Sequence, residues 1–297
     1  MNLEAYLVER ARWVEEALAA YLPVLPEPAR QLGEAMRYSL FAGGKRLRPV
    51  LALAGAEALG RDPKVALPAA CALEFIHTYS LIHDDLPAMD DDDWRRGKPT
   101  NHKVFGEAQA ILAGDGLLTQ AFAILATAEY PAEVAPEKVL AAIAEIAAAA
   151  GPEGMVGGQS ADIRAQGKSD ADGEFLHYIH THKTGALLRA SVRVGALLAG
   201  AAPAELAALT AYGEKLGLAF QISDDILDAT GDPKVLGKPV KNDAQKQKLT
   251  YVTLYGLAKA RQEARRLAAE AEAALGAFGP GAEPLRQLAR FTVERNH

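Results

Sequence analysis

Cysteine is almost missing from this chain: Cys71 is the only one in 297 residues. A single thiol excludes an intrachain disulfide and a cysteine-built zinc site, and it fits a reducing, cytoplasmic setting. Aromatic residues make up only 6% of the chain, and the β-branched alternation that marks strands is scarce. Positive charge is not in excess. The formal net charge of −6 argues against a general nucleic-acid surface, which needs clustered Lys and Arg. No uninterrupted apolar run of about 18 residues is found, so no spanning helix is expected. The opening "MNLEAYLVERARWVEEALAAYL" is acidic and amphipathic, lacks an apolar core followed by a cleavage site, and is not expected to be a signal peptide. Interdomain linkers and internal repeats are also wanting. What remains is 49% hydrophobic and 24% charged, the composition of a globular protein able to bury a substantial core.

The helical period runs through almost all of it, carried by alanine, leucine and glutamate. It predicts helices over 2–20, 28–42, 47–59, 63–86, 104–129, 136–150, 152–166, 171–200, 203–228, 245–277 and 281–294. Asp62 before Pro63 supplies a capping oxygen ahead of a first-turn proline, and Glu27-Pro28 and Ala202-Pro203 are weaker versions of that signal. Gly43 and Gly44, Gly60, Gly151 and Gly200 stand where left-handed C-caps belong. The expectation is one all-α domain over 1–297.

Into this helical background the stretch "SLIHDDLPAMDDDDWRRGKPT" (80–100) sets six aspartates within ten residues, Asp84, Asp85 and Asp90 to Asp93. Two like charges about 4 Å apart repel by roughly 4 kcal/mol at an effective dielectric near 20. Such a cluster is either a solvated turn, the usual fate of charge runs, or a cation site. Asp84 and Asp90 lie about 240° apart on an unbroken helix. Pro87, however, ends or kinks the helix, and a turn through "LPAM" would bring Asp90 back toward Asp84. Hard oxygen ligands in an incomplete cage suit Mg²⁺ completed by substrate phosphates. Arg95 and Arg96 follow as guanidinium forks for the same phosphates.

A second double aspartate, in "QISDDILD" (221–228), echoes the first. Asp224 and Asp228 share a helix face at i,i+4 with Gln221 beside them; alone, this spacing is as readily surface as site. Two Asp-rich helix ends half a chain apart suggest carboxylates facing across a helical cavity. "FAGGKRLRP" (41–49) adds Gly43, Gly44, Lys45, Arg46 and Arg48. It is not a Walker loop; it is either a glycine C-cap with solvated bases or a second anion site, and the apolar helix after it favours the latter. His77 lies seven residues before Asp84, with Ser80 between them on nearly the same face, which makes it a cavity candidate. The lysine-rich 231–251 segment reads as a surface loop or as a lid over phosphate.

Taken together, these motifs resemble the trans-isoprenyl diphosphate synthases, and within them the bacterial-type farnesyl diphosphate synthases. The likeness runs from "GGKRLRP" through "DDLPAMDDDDWRRGKPTNH", "HKTG" and "QISDDILD" to "GKPVKND" and the terminal "ERNH". It implies an isoprenoid-synthase-like helical bundle around a central cavity, a homodimer, isoprenoid diphosphate substrates and three Mg²⁺ ions, with Mn²⁺ as the alternative ion. By resemblance, Asp84 and Asp90 bind two ions and Asp224 a third, with Asp85, Asp225 and Asp228 supporting. The allylic diphosphate meets Arg95, Lys183, Lys238 and Lys248. Isopentenyl diphosphate meets Gly44, Lys45, Arg48, His77 and Arg96, with Arg295 a weaker candidate. Lys183, Thr184 and Gln221 match positions around the allylic cation. Trp94 stands where a leucine-like residue is expected and receives no role.

Each added isoprene unit buries about five carbons, roughly 4 kcal/mol, so affinity favours ever longer products and something must block the pocket. Tyr79, with Ser80 next to it and Phe75 one turn earlier, is either ordinary core or that block; the resemblance implies a C15 product. A geranylgeranyl diphosphate synthase is the nearest alternative. A terpene cyclase would not need Lys45 and Arg48, and a silent partner subunit would typically lose one Asp motif. A non-catalytic acidic metal binder leaves Arg95 and Arg96 unexplained.

Overall fold

The computed structural model describes residues 1–165, 172–230 and 249–294. The described chain is helical, apart from one two-residue strand pair. α1 (Leu3–Tyr21), α2 (Arg30–Leu40) and α3 (Leu47–Glu57) lead through a 3₁₀ turn (Pro63–Ala66) into α4 (Leu67–Asp84). Strands β1 (Trp94–Arg95) and β2 (Lys98–Pro99) pair antiparallel after it. α5 (Asn101–Phe105), α6 (Glu107–Thr127), α7 (Pro136–Ala150), α8 (Met155–Ala165) and α9 (Gly173–Ile179) follow. A π-helical turn (His180–Gly185) then leads into α10 (Ala186–Ala199) and α11 (Pro203–Thr230). The described chain closes with α12 (Tyr251–Tyr255), α13 (Leu257–Ala274), a 3₁₀ turn (Pro280–Ala282) and α14 (Glu283–Glu294).

α4 and α10 sit at the centre, apolar nearly all round because neighbours cover every face. α4 packs along α6, α3 along α10, and α11 along α13. One core joins α4 and α6 with α1, α2 and α7 through Val14, Leu40, Phe75, Leu117 and Ile146. A second joins α3, α10, α11 and α14 through Leu51, Leu188, Tyr212 and Leu285. Asp62 does cap, accepting from the Lys64 amide at 2.9 Å, but what it caps is the 3₁₀ turn.

Several expected features differ. The single helix expected over 104–129 is split at Gly106 and that over 245–277 at Gly256, where φ is +85° and +81°. Gly151 is extended rather than left-handed. The 171–200 helix contains the π turn. Among the described residues, three helical stretches are long and apolar enough by length and composition to cross a membrane: Pro63–Asp84, Glu107–Thr127 and Pro136–Ala165. This corrects the expectation of none, since alanine and leucine keep the mean high despite single polar interruptions. The first is mostly buried inside the fold, and the third is α7 and α8 joined through a turn at 151–154.

Candidate active site

α4 delivers the first acidic motif. It ends at Asp84, and the chain then folds back so that the Asp90 amide donates to the Asp84 carbonyl at 2.8 Å and the Asp91 amide to the Leu86 carbonyl at 3.1 Å. The turn through Leu86 to Met89 thus returns Asp90 to Asp84, as the proline required. Asp85 is buried, and Arg95 grips it from β1: Nε donates at 2.8 and 2.9 Å to the two carboxylate oxygens, and Nη2 at 2.6 Å. Burial pushes the Asp84 carboxyl up to about 6, with Asp90 and Asp85 adding to that and Lys183 and Arg95 opposing it. Acidic oxygens crowded in a half-buried site, their charge only partly offset by Lys183 and Arg95, are what a hard divalent cation relieves.

A cavity of about 520 Å³ opens beside this motif. Arg48, His77, Asp84, Lys183 and Thr184 supply its polar lining; Tyr79, Leu81, Met89, Met155 and Ile163 supply apolar walls. Lys183 comes from the π turn, and α8 fixes that turn by close approach: a Cβ on Gly158 would lie within 3.0 Å of the Lys183 backbone. Lys183 Nζ donates to Asp162 of α8 at 2.5 Å. Burial pulls Arg48 down to about 10, so it stays charged, with Asp224 of α11 among the charges acting on it. His77 is held well below the ordinary imidazole value by burial, then by Arg48, Arg96, Arg95 and Arg46. It is neutral.

The second motif lies on the last turns of α11. Asp228 is buried, and Asp225 accepts from the Tyr251 amide at 2.6 Å. His180 Nε2 lies 3.6 Å from Asp225, its pKa pushed down to about 4 by burial. Arg96 donates to the Gly43 carbonyl, and its guanidinium lies where a Cβ at Gly44 would fall, 2.7 Å from Cζ; this joins the glycine-rich loop to the first motif.

The cavity wall gathers Arg48, His77, Tyr79, Ser80, Asp84, Lys183 and Thr184 among the expected residues. Gly44, Lys45, Asp85, Asp90, Arg95, Arg96, Gln221, Asp224, Asp225 and Asp228 are not part of that wall. Phe75 is not either: it is fully buried in the core around α4. Arg46, grouped with Arg48 as an anion ligand, has a different role, since it is buried and pairs with Glu74 at 2.6 Å and Glu15 at 2.5 Å. Lys238, Lys248 and Arg295 lie outside the described residues. Gln159 and Asp162, in "GGQSAD" (157–162), were missed. Gln159 lines the cavity with its side-chain oxygen unpartnered, and the double glycine beside it was the available signal. Of the remaining aspartates, Asp91 and Asp93 come within 4.8 Å of His102, and none of the three lines the cavity.

The site is an all-α enclosure around an apolar cavity whose wall holds the Asp84 carboxylate and the cationic Arg48 and Lys183. Residues 29–274 match the polyprenyl synthetase family, and the chain belongs to that family. It is 54% identical over 263 residues to a farnesyl diphosphate synthase of Geobacillus stearothermophilus, covering 89% of this chain and 88% of that one. It is 47% identical to a geranylgeranyl diphosphate synthase of Cyanophora paradoxa, covering 100% and 97%. The fold superposes on the crystal structure of a geranylgeranyl pyrophosphate synthetase from Pyrococcus horikoshii with a TM-score of 0.90 at 35% identity, over 99% and 98% of the two chains. The protein is a trans-prenyltransferase of the prenyl diphosphate synthase type, a family that generally uses Mg²⁺.

Proposed function

We propose that the protein condenses isopentenyl diphosphate with dimethylallyl and then geranyl diphosphate and stops at farnesyl diphosphate. The observation that carries the chain-length reading is Tyr79. It sits in the cavity wall, five residues and therefore about 7.5 Å of helix before Asp84. Asp84, Asp90 and Asp224 would hold three magnesium ions, with Asp85, Asp225 and Asp228 behind them; bound there, the ions polarise the diphosphate and neutralise its growing charge. Lys183 and Arg95 orient the same diphosphate and stabilise it as the allylic C–O bond breaks. Thr184 and Gln221 offer oxygen lone pairs toward the cationic carbon. Lys45, Arg48, His77 and Arg96 hold isopentenyl diphosphate so that its double bond reaches that carbon. A new C–C bond forms, the electron pair comes from the alkene, and the proton on the adjacent carbon leaves, with the released diphosphate as acceptor.

A C20 product is the second reading, favoured by the geranylgeranyl diphosphate synthase names among relatives at 46–48% identity, against 54% for the farnesyl diphosphate synthase. Incubation with dimethylallyl diphosphate, excess isopentenyl diphosphate and Mg²⁺, with dephosphorylated products sized by chromatography, separates the two. A dominant C15 product that chelator abolishes is expected, and Tyr79→Ala should lengthen it. A C20 product from the unaltered protein would overturn the chain-length reading and leave the reaction standing.

A further inference from the structure

The wall beside Tyr79 holds a second ring. His83 lies one helical turn after Tyr79 on α4 and also lines the cavity. The two rings meet edge to face, with centroids 5.7 Å apart and planes at 78°. The imidazole is tethered across the helix interface: Nε2 lies 3.0 Å from the Ile111 carbonyl of α6, and because that partner can only accept, Nε2 carries the proton. Asp115 Oδ1, at 3.9 Å from Nε2, is too far to hydrogen-bond. The space that the ring occupies exists because residue 114 has no side chain. A Cβ built on Gly114 would fall within 3.0 Å of Nε2, Cδ2 and Cε1 of His83.

We propose that His83, seated in the recess that Gly114 leaves on α6, is a second determinant of product length. The ring stands in the cavity wall beside Tyr79 with its Nε2 against α6, so the room for the growing chain depends on both side chains. This rests on the reading of the cavity as the place where that chain lies. Filling the recess should expel the ring, break its bond to the Ile111 carbonyl and narrow the cavity from that side. Removing the ring should widen it. Gly114 is then a positioning residue that acts only through His83.

The test is the product distribution from dimethylallyl diphosphate and excess isopentenyl diphosphate for the unaltered protein, His83→Ala, Tyr79→Ala, Gly114→Ala and the double variant His83→Ala/Gly114→Ala. His83→Ala should extend the longest product by at least one five-carbon unit. Gly114→Ala should shorten it, and the double variant should lose that shortening, because no ring remains to expel. A merely structural role for Gly114 would not be rescued in this way. If His83→Ala keeps the parental distribution while Tyr79→Ala lengthens it, the inference fails and the chain-length reading survives. If Tyr79→Ala also changes nothing, the reading of the cavity fails with it. Should His83→Ala make no product, Gly114→Ala decides, and a folded Gly114→Ala protein with unshortened products overturns the proposal.

Discussion

At the scale of single residues, the arginines of the glycine-rich loop divide by burial. Arg46 is 2% exposed, its partner Glu74 1%, and Glu15 completes the group at the surface side. Removing one partner of such a buried pair leaves the other charge uncompensated, which typically costs about 3–5 kcal/mol. Arg46→Met should therefore lower unfolding stability by about that much in a urea titration; a change under roughly 1 kcal/mol would mean that Glu74 is not relying on it. Arg48, two residues on, faces the cavity and should behave in the opposite way, with little effect on stability. His77 makes a pH prediction with a definite sign. Burial and the surrounding guanidiniums favour the neutral ring, so it takes up a proton only below the ordinary imidazole value. An NMR titration of the unliganded protein should find the His77 midpoint below the ordinary imidazole value. A midpoint at or above the ordinary value would contradict the burial argument. Residue type and spacing alone do not separate Arg46 from Arg48; only the family resemblance singled out Arg48, and the pairing of Arg46 with Glu74 and Glu15 is visible only in the fold.

Among the elements, the π turn is the one whose geometry matters most to the site. His180–Gly185 interrupts an otherwise continuous helical pattern, and single π turns inside helices gather at functional sites. It carries Lys183 and Thr184 to the cavity wall and sets His180 near Asp225. Deleting Thr181 would remove one residue from this turn and rotate what precedes it relative to Lys183 by about 100°. Helix content by circular dichroism should be unchanged, while turnover falls by at least about 10²-fold, the scale of losing one positioned electrostatic group. Turnover within a few-fold of the parent would show that the wound-out geometry is dispensable. This element was invisible beforehand because its residues fit the helical period; the turn packs with its Lys183 backbone close against Gly158 of α8, a contact no local pattern encodes. The breaks at Gly106 and Gly256 were hidden similarly, since an isolated glycine in a helical pattern reads as tolerated. The turn after Asp84 was legible for the converse reason. Pro87 and the spacing of Asp84 and Asp90 admit few solutions, and the observed amide bond from Asp90 to the Asp84 carbonyl is one of them.

For the whole molecule, the distribution of charge is more informative than its sum. Asp84 at the end of α4, Arg48 at the α3 start and Lys183 on the π turn share one cavity wall, and the charge of Asp224 at the end of α11 acts on Arg48. The all-α character was readable from periodicity. That these four chain segments, far apart in sequence, converge was readable only from motif order, because no local pattern encodes long-range packing. The arrangement has a thermodynamic consequence. On the proposed reading, diphosphate alone would meet the cationic side but be repelled by Asp84, Asp85 and Asp90, and Mg²⁺ alone would relieve the acidic side but leave the cationic side unneutralised. Each ligand would then remove the obstacle to the other and their binding would be coupled; a ligand that binds only the folded state raises stability by about 2.7 kcal/mol at a hundred times its dissociation constant. In thermal denaturation, Mg²⁺ with inorganic pyrophosphate should therefore raise Tm by more than the sum of the shifts from each alone. Asp84→Ala should keep the ligand-free Tm near that of the parent, because the carboxyl is held at an energetic disadvantage by burial, yet lose the excess shift. Additive shifts in the parent protein, or an excess that survives in Asp84→Ala, would mean that the metal and the diphosphate do not meet at this motif.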